Sequence, residues 1–306
     1  MINYSSTQID FGGKPLHLVN LAKGQLFDDS DDLEARVARR ERCWDELSSS
    51  LDIAPYSSWG DALETGMALI GNVIDTAIHQ KSEVKQRINL LGDLQEGQEV
   101  YVLIAGAGQT EGNFRGLAGK LRAAGKTVYV HGYDFENETL TQSGDGLMSE
   151  LKKINGAEAK VAGILGHSTG ADILLHLSTK NESYANLISK WDTQVLAVAP
   201  NNGAYLTKGN IWQKMLRATK QIHDFDDLKT EAGAFRNNEM YGTVQENIAD
   251  QTLVVICTGD RLILPGAGLH ERTLIVPGEG HIKEVNGEFM HDLYMDIFDN
   301  PQTYRV

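Results

Sequence analysis

The stretch 161–177, VAGILGHSTGADILLHL, limits what this chain can fold into more than any other. Residues 161–165 form a short apolar run that reads as a buried strand. Gly166-His167-Ser168-Thr169-Gly170 follows as G-x-S-x-G, and 171–177 has helical spacing with no breaker. A strand that passes into a helix through five residues must turn sharply, and a sharp turn excludes bulky neighbours. Gly166, Gly170 and Ala171 are small where that matters. Such a turn lifts the Ser168 hydroxyl above the sheet edge, at the positive end of the following helix. The plain alternative is a Gly/Ser turn that carries no chemistry. With 31 glycines in 306 residues the five-residue pattern is unspecific by itself. The rest of the chain must supply an oxyanion site before the serine, and an acid and a histidine after it.

From Gly97 onward the pattern is regular. Apolar strands are expected at 100–104, 127–130, 161–165, 194–198, 253–257 and 273–276. Helical segments are expected at 114–124, around 147–154, after Ser168 and around 288–298. Six apolar strands separated by helices predict an α/β fold with a mainly parallel sheet covered on both faces. Before residue 95 the chain reads differently. Residues 1–24 suggest a hairpin around Gly12-Gly13. A helix is expected over 33–51, a second from about 57 to 78 with Leu63, Met67, Ile70, Ile74 and Ile78 on one stripe, and a third over 82–91. The expected organisation is therefore an N-terminal hairpin plus helical region, 1–95, and an α/β domain, 96–306. Within the latter, 204–250 fits a lid-like insertion. Its Trp212, Met215, Leu216, Phe225, Phe235, Met240 and Tyr241 would line an apolar acyl pocket or simply pack extra helices.

In open α/β sheets the reactive groups gather at the carboxyl ends of the strands. A serine hydroxyl becomes nucleophilic when a base takes its proton and an acid orients that base. Asp260 follows the strand 253–257 in CTGDR, while Asn201 and Asn202 stand where the preceding strand would offer a carboxylate. His281 follows the last strand in PGEGH, on a loop with two glycines. His270 precedes that strand, His291 and His176 lie on helices, and His167 beside the serine is read as shaping the turn. The chain order Ser168, Asp260, His281 is the order of elbow-type hydrolases. The loop Ala105-Gly106-Ala107-Gly108-Gln109-Thr110 after the first strand of the pattern is small enough for its backbone to bend toward the serine. A backbone N–H there, with that of Thr169, would hold a developing oxyanion.

On the motifs GHSTG, AGAGQTEGNF, CTGDR and PGEGH the chain resembles the α/β-hydrolase superfamily over about residues 98–300, with an elbow closest to those of esterases and lipases. The resemblance implies an α/β-hydrolase fold, Ser168 as nucleophile, Asp260 as acid and His281 as base. By position it implies Ala107 and Thr169 as the oxyanion-hole N–H donors. The chain departs from the family in carrying Ala105-Gly106 where many members have His-Gly. The implied activity is cleavage of a carboxylic ester of a small-molecule or lipid-like acyl substrate, with no cofactor and no metal. Thioester or amide hydrolysis by the same triad, and binding without turnover, remain open alternatives.

A nucleotide-binding oxidoreductase is disfavoured. Gly106-x-Gly108 follows a strand, but the third glycine of a dinucleotide fingerprint falls on Glu111, whose carboxylate would face the pyrophosphate. The formal charge of −14 and pI near 5.1 argue against nucleic acid or an anionic membrane surface as partner. Two cysteines, Cys43 and Cys257, make no disulfide framework. No signal-peptide pattern opens the chain and no apolar run reaches the roughly 20 residues of a membrane span, so a cytoplasmic location is the expectation. The N-terminal helices either cover the site or present a surface for a protein partner or self-association.

Overall fold

A computed structural model of the chain describes residues 2–22, 24–26, 33–53, 94–106, 111–133, 138–200, 243–260, 263, 265–280 and 283–305. The helices expected at 57–78 and 82–91, the insertion up to residue 242, Ala107 and His281 lie outside the described residues.

All six expected strands form, at the expected places. They are β3 (Glu99–Ile104), β4 (Thr127–His131), β5 (Lys160–His167), β6 (Gln194–Val198), β7 (Thr252–Cys257) and β8 (Arg272–Val276). They pair in parallel in the order β8-β7-β6-β5-β3-β4. The N-terminal hairpin also forms, as β1 (Tyr4–Phe11) and β2 (Lys14–Leu21), through a two-residue turn at Gly12 and Gly13. Both glycines have positive φ, 58° and 76°, which matches the twist of paired strands and excludes most other residues.

The hairpin is not a unit apart from the α/β domain. β2 pairs antiparallel with β8, so β1 and β2 complete an eight-stranded sheet. The reason lies in β2 itself. Leu16 and Leu18 point to one face, Val19 and Leu21 to the other, and all four are buried. A strand apolar on both faces is not satisfied by a two-stranded ribbon and needs a covered sheet. β1, with Ser5, Ser6, Thr7 and Gln8 exposed, makes a polar outer edge.

Alternation along the strands splits the core into two layers. On β3, Val100, Val102 and Ile104 face one layer, while Tyr101 and Leu103 face the other. The first layer is filled by α1 (Leu33–Ser50), α3 (Leu140–Gly156), α4 (Thr169–Lys180) and α5 (Glu182–Trp191), through residues such as Leu47, Leu147, Leu151, Leu174, Tyr184 and Ile188. The second is filled by α2 (Arg115–Ala123) and α8 (Glu288–Asp299), through Leu117, Leu121, Met290, Leu293 and Ile297. Two single-turn helices, α6 (Pro265–Gly268) and α7 (Lys283–Asn286), precede and follow β8. α1 rests on α6: a Cβ at Gly266 would stand 3.3 Å from the Trp44 Cβ.

Helix α5 was not expected from the sequence, yet its signals are present. The Asn181 side chain accepts the Tyr184 N–H at 2.9 Å, and Tyr184, Ala185, Ile188 and Trp191 form the buried stripe. Helix α3 starts earlier than expected, at a capping box in which Thr139 and Gln142 each accept the other's backbone N–H. No helix among the described residues is long and apolar enough to cross a membrane.

Gly163 in β5 has a packing reason. A Cβ there would stand 2.6 Å from the Phe298 ring of α8 and 2.9 Å from Tyr101, which itself meets Phe298 edge-on at 5.3 Å. Gly163→Ala must push that ring pair aside. Overpacking of this kind should lower stability by about 1–3 kcal/mol, read as a shift in the urea midpoint. An unchanged midpoint would mean that the pair has room to move.

Candidate active site

The turn between β5 and α4 is as sharp as its sequence demands. Ser168 stands at φ 53°, ψ −121°, a conformation that L-residues rarely adopt and that costs on the order of 1–3 kcal/mol. The glycines on either side allow it. A Cβ at Gly166 would lie 2.3 Å from the Gly170 carbonyl oxygen, and one at Gly170 would lie 2.4 Å from the Ile104 oxygen and 2.7 Å from the Ala105 oxygen. The turn is thus folded on itself and pressed against the end of β3. It is also pinned to β6, because the Ser168 N–H donates to the Val198 oxygen at 2.9 Å.

Ser168 is the N-cap of α4, yet its side chain makes no capping hydrogen bond. Its carbonyl does the capping, accepting the Ala171 and Asp172 N–H groups at 2.9 and 3.1 Å. The Thr169 N–H opens the first turn of the helix, where backbone donors have no acceptor within the helix. Next to it lies the end of β3, where the Tyr133 hydroxyl donates to the Ala105 carbonyl at 3.0 Å. The loop that would supply the second oxyanion donor therefore leaves β3 from a fixed carbonyl, although Ala107 itself is outside the described residues.

Asp260 lies just past the carboxyl end of β7 and is 5% exposed. Its Oδ1 accepts the Ile263 N–H at 2.9 Å, and its N–H donates to Cys257 O at 3.2 Å. The loop that carries it is stitched to the loop that leads to His281. The Thr258 N–H donates to Val276 O at 3.0 Å, and the Thr258 hydroxyl accepts the Gly278 N–H at 3.0 Å. A Cβ at Gly259 would stand 2.5 Å from the Glu279 carbonyl oxygen, so only glycine lets the two loops touch. The Thr-Gly pair of CTGDR thus has a structural task distinct from that of its aspartate.

His281 falls outside the described residues, but both of its neighbourhoods are described. Before and after it, the Gly280 oxygen accepts the Glu284 N–H at 3.1 Å. The other candidate histidines are occupied in packing. His291 is buried, with Nε2 2.6 Å from Val285 O, and its ring fills the space above Gly116. His270 is buried before β8, at the far end of that strand, and His176 is buried on α4. His167 is fully buried, and its Nε2 lies 3.2 Å from Glu284 Oε2.

Glu284 is the residue that sequence reasoning missed. A lone glutamate in HIKE reads as a solvated charge. Here it is 0% exposed and hydrogen-bonded by the Cys257 thiol as well as paired with His167. Burial, with Asp260 and then Glu279 near by, pushes its carboxyl well above the ordinary range and holds the proton on. Burial, chiefly, also pushes the Cys257 thiol up, so Cys257 is an inert donor and no rival nucleophile. Glu279, itself buried, pairs with Lys14 Nζ of β2 at 2.5 Å.

A carboxyl whose folded value is raised adds stability that is complete below the ordinary glutamate value, about 4.3, and is lost as pH climbs toward the folded value. Relative to Glu284→Gln, which has no proton to lose, the native chain should therefore lose about 1.4 kcal/mol per pH unit over that window. Denaturant titrations between pH 5 and pH 8 measure this. A difference that stays constant with pH would show the carboxyl ionised as in water.

No family model matches the chain, and no curated protein matches it in sequence. Among solved structures it is similar to Est1E from Butyrivibrio proteoclasticus, at 10% identity over 98% of each chain with a TM-score of 0.41. It is similar to a soluble variant of monoglyceride lipase from Saccharomyces cerevisiae, at 13% identity over 70% of this chain and 89% of that one, TM-score 0.47. It is also similar to the esterase Pf2001 from Pyrococcus furiosus, at 9% identity over 100% of this chain and 94% of that one, TM-score 0.41.

Proposed function

We propose that this chain, which has an α/β-hydrolase fold, is a serine hydrolase that cleaves a carboxylic ester through an acyl-enzyme. The observation that carries the reading is the backbone of Ser168. A residue held at φ 53° between two glycines that tolerate no Cβ is an expensive way to build a turn. Its return is a hydroxyl raised at the carboxyl end of the parallel sheet and at a helix N-terminus, uncommitted to capping. The buried carboxylate of Asp260, at the end of a strand two places along the sheet, is the second support.

In this reading His281 takes the Ser168 proton as Oγ attacks the ester carbonyl carbon. The carbonyl oxygen becomes an oxyanion and receives the Thr169 and Ala107 N–H groups, each worth on the order of 2.7–4 kcal/mol in rate. Asp260 keeps the imidazole in the tautomer that accepts this proton and stabilises the imidazolium that results. His281 then gives the proton to the departing alcohol. Water, deprotonated by the same imidazole, attacks the acyl-enzyme, and the acid leaves with Ser168 restored.

Ser168→Ala should cut turnover of short p-nitrophenyl esters by at least about 10⁴-fold with the unfolding midpoint preserved or raised. A fluorophosphonate should label the native chain and not the variant. Native-like turnover by Ser168→Ala would remove Ser168 from the mechanism. Activity should also decline below about pH 6.5 as a histidine base protonates. A flat profile from pH 5 to pH 8 would exclude that base.

A further inference from the structure

We propose that Arg272 and Arg305 form a carboxylate-binding site at the amino ends of β6, β7 and β8, the end of the sheet opposite Ser168 and Asp260. The site does not depend on the hydrolase reading.

The sheet places both arginines. Arg272 opens β8 and Gln194 opens β6, and by alternation they face the same core layer as Leu274 and Leu196. β7 runs between these strands, so the two residues stand about 10 Å apart. Arg305 follows the helical turn Pro301–Tyr304, whose Tyr304 is buried in that layer. Its Nε donates to Gln194 Oε1 at 3.3 Å, and Gln194 Nε2 donates in turn to the Gln251 carbonyl at 2.7 Å. Arg272 Nη1 donates to the neighbouring Asp250 carbonyl. The two guanidinium groups are thus tied to adjacent carbonyls just before β7, one directly and one through Gln194. They are close enough for the charge of Arg305 to act on Arg272.

What these bonds leave over marks a ligand site. Arg272 is 8% exposed, yet its Nε and Nη2 have no acceptor, and neither has the buried Nη2 of Arg305. A buried guanidinium with one neutral acceptor is costly, and an anion on its free edge removes the cost. Burial pulls the Arg272 group down to about 10, opposed by the Asp250 charge and aided by that of Arg305, so it keeps its proton at neutral pH. The Nε–Nη2 edge of a guanidinium takes a carboxylate through two parallel bonds, and Arg305 Nη2 supplies a further donor. Donor count selects the ligand. Three nitrogens satisfy the two oxygens of a carboxylate. The other polar atoms of the cluster, Asp250 O, Gln194 Oε1 and the unpartnered Gln251 Oε1, are acceptors, and the additional oxygens of a phosphate would be left facing them. The way in lies beside Arg305. Its Nη1 donates to Asp192 Oδ1 at 2.9 Å, and the Asp192 side chain is 70% exposed. An exposed pair of this kind is weak, so an incoming carboxylate takes Arg305 over from Asp192.

The test is calorimetric titration of the full chain with sodium acetate, and separately with sodium phosphate, at fixed ionic strength and pH 7.5. Acetate should bind saturably at one site per chain, and phosphate at least about 10-fold more weakly. Arg272→Met should abolish saturable acetate binding, Arg305→Gln should weaken it about 10-fold, and Asp192→Asn, which removes the competing charge, should tighten it about threefold. The urea midpoint of the native chain should rise with acetate and that of Arg272→Met should not. Without acetate, Arg272→Met should be at least as stable as the native chain, because it buries no unpaired guanidinium. No saturable acetate binding by the native chain overturns the proposal, since the free nitrogens then hold water alone. Native affinity in Arg272→Met overturns it too, as does tighter binding of phosphate than of acetate. If Arg272→Met does not fold, the other two variants decide, and unchanged affinity in both overturns the site.

Discussion

One close approach governs the structure: the backbone of the Ser168 turn pressed against the end of β3. Gly170 lies where any side chain would strike the Ile104 and Ala105 carbonyls, and Gly166 where one would strike Gly170. Because the turn is this tight, the helix begins directly above the strand, its first N–H groups point at the sheet end, and the serine is forced to positive φ. The rest of the sheet makes that strain affordable. β5 is central, flanked by β3 and β6, and its neighbours are held in register by two buried apolar layers. A local cost of on the order of 1–3 kcal/mol is small beside the apolar surface those layers remove from water.

The parallel sheet brings the remaining groups to the same end. Ser168, Asp260 and residues 277–280 each follow a strand, β5, β7 and β8, and parallel strands deliver their carboxyl ends to one edge. Two sets of contacts then refine the meeting. Thr258 and Gly259 join the aspartate loop to the loop after β8, and Glu284 joins that second loop to His167. Neither set involves the Ser168 hydroxyl or the Asp260 carboxyl. Both are spent on holding the loops that carry them, which is where loops on a rigid sheet are least constrained.

The N-terminus shows how a boundary in composition differs from a boundary in structure. The change of pattern near residue 95 is real, yet the hairpin before it lies at the far edge of the sheet, beside the last strand in sequence. Pairing of β2 with β8 ties residues 14–21 to the segment that leads to His281, and Lys14 reaches Glu279 from it. Residues separated by most of the chain thus share one edge, a long-range pairing that no window of local sequence can display.

What the sequence determined by itself is the periodic part. Strand positions, the sharp turn at Ser168, the hairpin turn at Gly12-Gly13, and the places of His176 and His291 on helices and of His270 before the last strand follow from local apolar spacing and from where glycine is compulsory. What only the tertiary structure decided is which distant segments touch: the hairpin on β8, Gly163 beneath Phe298, and Glu284 buried against His167. The physical reason is that the charge state and role of a side chain depend on solvent exclusion and on neighbours far along the chain. A glutamate carries the same letter whether it is solvated or sealed, and only the packing around it sets which proton it keeps.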